Sequence, residues 1–175
     1  MSSEFEPVGA ETKYEGKILT VREETFRHED GEESTREIVR HTGAVGVVCH
    51  DGASLWLVRQ PREAVDTPDL LEIPAGKLDV EGEAPLEAAK RELAEEIGKA
   101  AAEWEHLHTF FTSPGFTDEV CHVYLATGLS DASAEADEHE RIDIEVRPLA
   151  ELDAIIDEVT DSKTLIGLLE LRRRL

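Results

Sequence analysis

The chain has 175 residues, enough for one domain with a substantial core. Asp and Glu number 40 against 18 Lys and Arg, giving a formal net charge of −22 spread along the whole length, which argues against nucleic acid or an anionic membrane as partner. The hydrophobic share of 40% excludes a wholly disordered chain, and the aromatic share of 5% leaves the core to Val, Ile, Leu and Ala. So acidic a surface is expected to be adapted to a high-salt interior, where screening confines self-repulsion to short range.

From the start of the chain, Met1 to Pro7 has no basic segment followed by an apolar run, and no later run approaches membrane-spanning length. A soluble, cytoplasmic protein is expected. Lys17 to His28 and Thr35 to His41 are polar, alternating segments flanking the turn signal Asp30-Gly31, so they read as a long hairpin needing a surface to lie on. Gly43 to Cys49 and Leu55 to Arg59 read as central strands split by Asp51-Gly52, and Leu70 to Pro74 as a short strand. From Pro85 to Ile97 the pattern is helical: Leu86, Ala89, Leu93 and Ile97 form one apolar stripe, Pro85 suits the first turn and Gly98 the stop. Leu107 to Phe111, Val120 to Thr127 and Ile142 to Val146 read as strands, and Ser130 to Glu140 as an exposed acidic loop. Leu149 to Val159 and Lys163 to Arg173 read as helices. The expected fold class is α/β (α+β), a mixed β-sheet with helices packed on it and an N-terminal β-hairpin extension. Residues 1–41 are expected to form an N-terminal strand and hairpin region and residues 42–175 the main domain.

Cys49 and Cys121 each precede a histidine, His50 and His122, inside β-branched runs. Neighbouring strand residues point to opposite faces, so a Cys-His pair cannot easily share a zinc ion, and two buried thiols acting as small hydrophobes is the better reading.

Chemistry enters at Glu92, Glu95 and Glu96, which stand at i, i+3 and i+4 and project from one side of the helix. By spacing alone they also fit a solvated helix face. Like charges so placed repel unless a cation lies among them, and all-oxygen ligation suits Mg²⁺ or Mn²⁺. The wider segment, Gly76, then Glu83, seven residues, and Arg91-Glu92-Leu93-Ala94-Glu95-Glu96-Ile97-Gly98, resembles the Nudix box, G-x5-E-x7-R-E-U-x-E-E-x-G-U with U a bulky apolar residue. Two positions depart from it: six residues instead of five separate Gly76 from Glu83, and Lys99 stands at the final apolar position. The extra residue falls in the Asp79 to Gly82 loop, where an insertion costs little, and no carboxylate is lost.

The resemblance implies a Nudix-type sheet sandwiched between helices and a Mg²⁺-dependent hydrolase, with Mn²⁺ a possible substitute. Its metal ligands would be Glu92, Glu95, Glu96 and the carbonyl of Ala75, with Arg91 and Glu83 orienting them. Thr112-Ser113-Pro114-Gly115-Phe116-Thr117-Asp118-Glu119, with Pro114 15 residues beyond Lys99, is similar to the ADP-ribose pyrophosphatase branch, although by itself it is also an ordinary Pro-Gly turn. Arg59-Gln60-Pro61-Arg62 and Leu71 to Lys77 resemble pocket-lining segments of that branch. The implied substrate contacts are Arg62, Glu72, Ser113, Pro114, Gly115 and Glu119. The implied base lies on the acidic loop, Glu138 supported by Glu140, with Glu135, Asp137 and His139 as alternatives. The reaction so implied is ADP-ribose plus water giving AMP and ribose 5-phosphate. The alternatives are another nucleoside diphosphate sugar, such as a GDP-hexose, or a sensor that binds ADP-ribose without cutting it. The branch further implies a homodimer built through the N-terminal strands, with both subunits contributing to each pocket, while the acidic charge argues for no nucleic-acid or membrane partner.

Overall fold

The computed structural model describes residues 4–133 and 141–175. The chain divides into two compact units: residues up to Gly43 together with Phe111–Val120, and Ala44–Phe110 together with Cys121–Leu175.

The first unit is a three-stranded antiparallel sheet in the order β1 (Phe5–Glu15), β2 (Leu19–His28), β3 (Glu33–His41). The hairpin of β2 and β3 is where the polar alternation places it. Strand β1 is an addition to that reading, because all of its residues are exposed and no apolar alternation marks it. It is held by its ladder to β2, by the edge-to-face contact of Phe5 with Phe26, and by Arg27, which bonds Glu6 across to β1 and Glu33 across to β3. Glu24, buried in β2, accepts from Arg40 of β3 through both carboxylate oxygens at 3.0 and 2.6 Å.

The second unit contains β4 (Ala44–His50), β5 (Ser54–Arg62), β6 (Thr67–Glu72), β7 (Ala75–Lys77), α1 (Pro85–Ile97), β8 (Lys99–Phe111), β9 (Val120–Asp131), β10 (Asp143–Pro148), α2 (Leu152–Glu158) and α3 (Ser162–Arg172). The sheet runs β10-β5-β4-β9-β8, with β6 paired to β5 and β7 to β4. It is mixed, since β4 and β9 are parallel while β4–β5 and β5–β10 are antiparallel.

Helix α1 keeps the boundaries its pattern sets. Pro85 opens it, and Gly98 closes it in the left-handed region at φ 64°, its N–H returning to the carbonyls of Ala94 and Leu93. Ala88, Ala89, Leu93 and Ile97 pack on Val45, Val47, Cys49 and Val58 on one sheet face. On the other face Leu152, Ile155, Leu168 and Leu171 of α2 and α3 pack on Val48, Leu57, Ile73 and Val123. This is the helix–sheet–helix sandwich that the sequence implies, with a core of aliphatic side chains. Cys49 belongs to the first cluster and Cys121 to the second, both buried and neither in a disulfide. Burial pushes the Cys49 thiol well above its ordinary range.

Several boundaries differ from the sequence reading, and the strand read from Leu70 to Pro74 runs from Thr67 to Glu72. Strand β8 starts at Lys99, well before Leu107, its early half carrying Ala and Glu in place of a continuous apolar run. Ser130 and Asp131 end β9 instead of opening a loop. The helix expected from Leu149 begins as a single 3-10 turn, Leu149–Glu151, before α2. Among the described residues no helix is long and apolar enough to cross a membrane.

Candidate active site

The carboxylates of α1 are organised by one guanidinium. Arg91 donates to Glu83 through Nε at 3.2 Å and Nη2 at 3.1 Å, while its Nη1 donates to Glu92 at 2.8 Å and Glu95 at 2.9 Å. The Glu83 hydrogen bonds, above all, raise Arg91 beyond the usual arginine range, so it is permanently charged. Helical spacing explains the geometry: Glu95 lies one turn after Arg91, and Glu83 in the preceding loop reaches back to it. Arg91 thus joins Glu83, Glu92 and Glu95, three of the carboxylates the resemblance singles out, in one hydrogen-bonded cluster.

Glu96 turns the other way, its Oε2 accepting from the backbone N–H of Ala75 at 2.9 Å. That bond brings together two members of the implied ligand set, Glu96 and Ala75. Glu92 lies against Gly76: a Cβ built on that glycine would stand 1.9 Å from both Cδ and Oε1 of Glu92. Only glycine permits so close an approach of carboxylate to backbone. Glu92 and Glu96 are both buried, whereas Glu95 is partly exposed. As placed, no three His, Cys, Asp or Glu side chains among the described residues gather closely enough to hold a metal ion unaided. The donor set still fits a hard divalent cation: carboxylate oxygens from two successive turns of α1, beside a glycine cradle and the Ala75 peptide.

A second polar cluster lies at the end of β5 and β6. Glu72 is fully buried, and Arg62 clamps it side-on, Nε to Oε1 at 2.6 Å and Nη2 to Oε2 at 2.8 Å. The Glu72 hydrogen bonds lead in raising Arg62 above its ordinary value against the opposing effect of burial, and Asp161 and Glu96 add to the rise. Lys163, in the first turn of α3, also bonds Glu72 Oε2, and it reaches Asp161 Oδ2 at 3.0 Å. Asp161 caps α3, accepting from the Thr164 N–H at 2.9 Å and the Thr164 hydroxyl at 2.6 Å. That hydroxyl accepts in turn from the N–H of Ile73 at 2.9 Å. Burial by itself would push Asp161 up, but Lys163 and the two Thr164 donors outweigh it and hold the carboxyl below its usual range.

Lys163 and Asp161 are absent from the sequence-derived set. The only sequence signal for either is Asp161 ahead of Ser162-Lys163-Thr164, a helix-start signature that says nothing of Glu72.

In the first unit, the turn at Ser113 is built as its composition suggests. The Ser113 carbonyl accepts from the N–H groups of Phe116 and Thr117, and Phe116 returns its own carbonyl to Val39 of β3 at 2.8 Å. Glu119 is braced by Thr112, whose hydroxyl donates to it at 2.7 Å. Asp118, also outside the expected set, accepts from Arg40 and from the His41 N–H, each at 3.0 Å. Pro114 and Gly115 line a cavity of about 430 Å³ with Phe26, Ile38, Phe116 and Arg40. The candidate bases Glu138 and Glu140, with Glu135, Asp137 and His139, lie outside the described residues.

A family model described as the NUDIX domain matches residues 40–167. The chain is 39% identical over 171 residues to the ADP-ribose pyrophosphatase of Mycobacterium tuberculosis, covering 95% of this chain and 82% of the relative. It is 38% identical to the methanol dehydrogenase activator of Bacillus methanolicus, covering 94% of this chain and 90% of that one. Identity to the ADP-ribose pyrophosphatase of Bacillus subtilis is also 38%, covering 93% and 90%. Among solved structures, a crystal structure of an ADP compounds hydrolase matches with a TM-score of 0.87 at 25% identity, covering 98% of this chain and 94% of that one.

Proposed function

The chain belongs to the Nudix family of hydrolases, and from that premise we propose that it hydrolyses the pyrophosphate bond of ADP-ribose, giving AMP and ribose 5-phosphate. One observation carries the reading: Glu83, Glu92 and Glu95 share the Arg91 guanidinium while Glu96 accepts from the Ala75 N–H, in a chain that resembles ADP-ribose pyrophosphatases over most of its length.

The family uses a divalent metal ion, and Mg²⁺ is the ion proposed here, with Mn²⁺ as a substitute. Glu92, Glu95, Glu96 and the Ala75 carbonyl would hold it. When bound there, such an ion offsets charge on the pyrophosphate oxygens and makes water acidic enough to attack phosphorus. Arg91 fixes Glu92 and Glu95, and Glu83 fixes Arg91. Arg62, half exposed beyond its clamp to Glu72, is suited to a phosphate oxygen. Glu72, Ser113, Pro114, Gly115 and Glu119 complete the proposed substrate contacts. Glu138, supported by Glu140, is the proposed acceptor of the water proton.

A homodimer formed through the N-terminal strands, a cytoplasmic location and adaptation to high salt belong to the same reading. Exposed Phe5, Tyr14 and Phe116 in the first unit favour the dimer, and the net charge of −22 favours the salt adaptation.

The test is product analysis after incubation with ADP-ribose and Mg²⁺ in high salt, beside Glu96→Gln. AMP from the wild type, largely lost in the variant, is expected. Turnover of a GDP-sugar without AMP from ADP-ribose would overturn the substrate. A folded protein with no turnover of any nucleotide sugar would overturn hydrolysis itself.

A further inference from the structure

Four charged groups meet at the mouth of α3: Arg62 and Lys163 against Glu72 and Asp161. Those four cancel formally, and Glu96, which also acts on Arg62, adds a further negative charge nearby. Arg62 spends Nε and Nη2 on Glu72, and among the described residues its Nη1 makes no hydrogen bond. The Arg62 side chain is 41% exposed, whereas Glu72 is 1%, Lys163 15% and Asp161 16% exposed. The tetrad thus presents one face to solvent, and that face is the guanidinium of Arg62.

We propose that Lys163 is a positioning residue for substrate binding, which occupies Asp161 and shares Glu72 so that one edge of the Arg62 guanidinium stays free for a diphosphate oxygen. The inference rests on the ADP-ribose reading for the identity of the substrate, but its physical content concerns any bound diphosphate. Without Lys163, Glu72 and Asp161 are left with a single cation, Arg62, which Glu96 also attracts. Arg62, already within electrostatic reach of Asp161, then turns its remaining edge inward to that carboxylate. The local charge also falls by one beside an anionic ligand, which weakens binding a second time.

The role is distinct from bracing α3. Asp161 and Thr164 already fix the helix start through the cap and through the Ile73 N–H, and neither bond involves the lysine ammonium. The charge and the brace can therefore be separated experimentally. Asparagine caps helices about as well as aspartate, so Asp161→Asn removes the charge that Lys163 neutralises while keeping the cap.

The experiment compares wild type, Lys163→Met, Lys163→Arg and the double variant Asp161→Asn with Lys163→Met. It reads KM and kcat for ADP-ribose, with calorimetric binding of inorganic pyrophosphate plus Mg²⁺ and a melting curve for each protein. Lys163→Met is expected to raise KM about tenfold with kcat changed less than about threefold, the size of one lost charge interaction near the surface. Both Lys163→Arg and the double variant are expected to return KM to within about threefold of wild type. Pyrophosphate affinity follows the same order. A double variant no better than Lys163→Met, or worse, would mean that the lysine serves structure alone and would overturn the inference. So would an unchanged KM in Lys163→Met, or a wild type that binds no pyrophosphate. If wild type binds pyrophosphate but leaves ADP-ribose intact, the substrate reading fails and the binding series decides Lys163 independently. If Lys163→Met does not fold, the double variant and Lys163→Arg against wild type carry the same comparison: weak pyrophosphate binding in both overturns the proposal.

Discussion

Gly76→Ala is the smallest change expected to disable the site while leaving the fold standing. The added Cβ would lie 1.9 Å from Cδ and Oε1 of Glu92 and 2.5 Å from its Cγ. Ordinary contact begins at 3.4 Å, so the carboxylate must retreat by about 1.5 Å. Glu92 can do so by rotating, because the clash is with the end of a flexible side chain and not with backbone. The backbone gains a little from the change, since alanine restricts the unfolded chain by about 0.4–1 kcal/mol more than glycine. Stability should therefore hold within a few kcal/mol. Catalysis should not, since a displacement of about 1 Å can cost about a hundredfold, or about 2.7 kcal/mol of transition-state stabilisation. The assay is kcat/KM for AMP release from ADP-ribose at saturating Mg²⁺, beside a thermal melt and a Mg²⁺ titration. A variant that melts normally and keeps kcat/KM within about threefold of wild type would refute the cradle argument.

Asp161→Ala removes the cap of α3 and is expected to destabilise the protein by about 0.5–2 kcal/mol near neutral pH. The sign with pH follows from the depressed carboxyl: its contribution is complete above the unfolded value of about 3.9 and vanishes as pH falls through the lower folded one. Urea melts near neutrality and below about pH 3.5 should therefore show the wild type–variant gap closing in acid, and a gap constant with pH would contradict the assignment. Light scattering after gel filtration, across about 0.1 to 3 M KCl, should give a dimer that persists only at the salty end; a monomer throughout, or full stability in dilute buffer, would remove the dimer or the salt adaptation respectively.

Local signals carried the parts of this structure that local physics decides. Helix α1 was legible to the residue because proline and glycine bracket one apolar stripe. The β2–β3 hairpin was legible from Asp30-Gly31, and the central strands β4 and β5 from their apolar runs. Strand β1 was not, because a strand exposed on both faces carries no apolar alternation and owes its place to its ladder with β2 and a few cross-strand side-chain contacts. In the site, the order of Glu83, Arg91, Glu92, Glu95 and Glu96 pointed to shared chemistry, and the network around Arg91 follows from helical spacing. The partnership of Glu72 with Lys163 could not be read, since 91 residues separate them and neither carries a mark of the other. Pairings of that kind are set by how α3 docks on the sheet, a property of the whole core.

That docking has a consequence for synthesis. The N–H of Ile73, two residues before Ala75, finds its acceptor on Thr164, again 91 residues downstream, and the bond is buried. A ribosome that has delivered the entire Nudix box has still not delivered this acceptor, and a buried amide without one is costly. The segment leading into Ala75 and Gly76 can settle only after the final helix has emerged. Maturation of the site is thus tied to near-completion of the chain, and a product truncated before α3 is expected to be a substrate for proteases instead of a loose hydrolase.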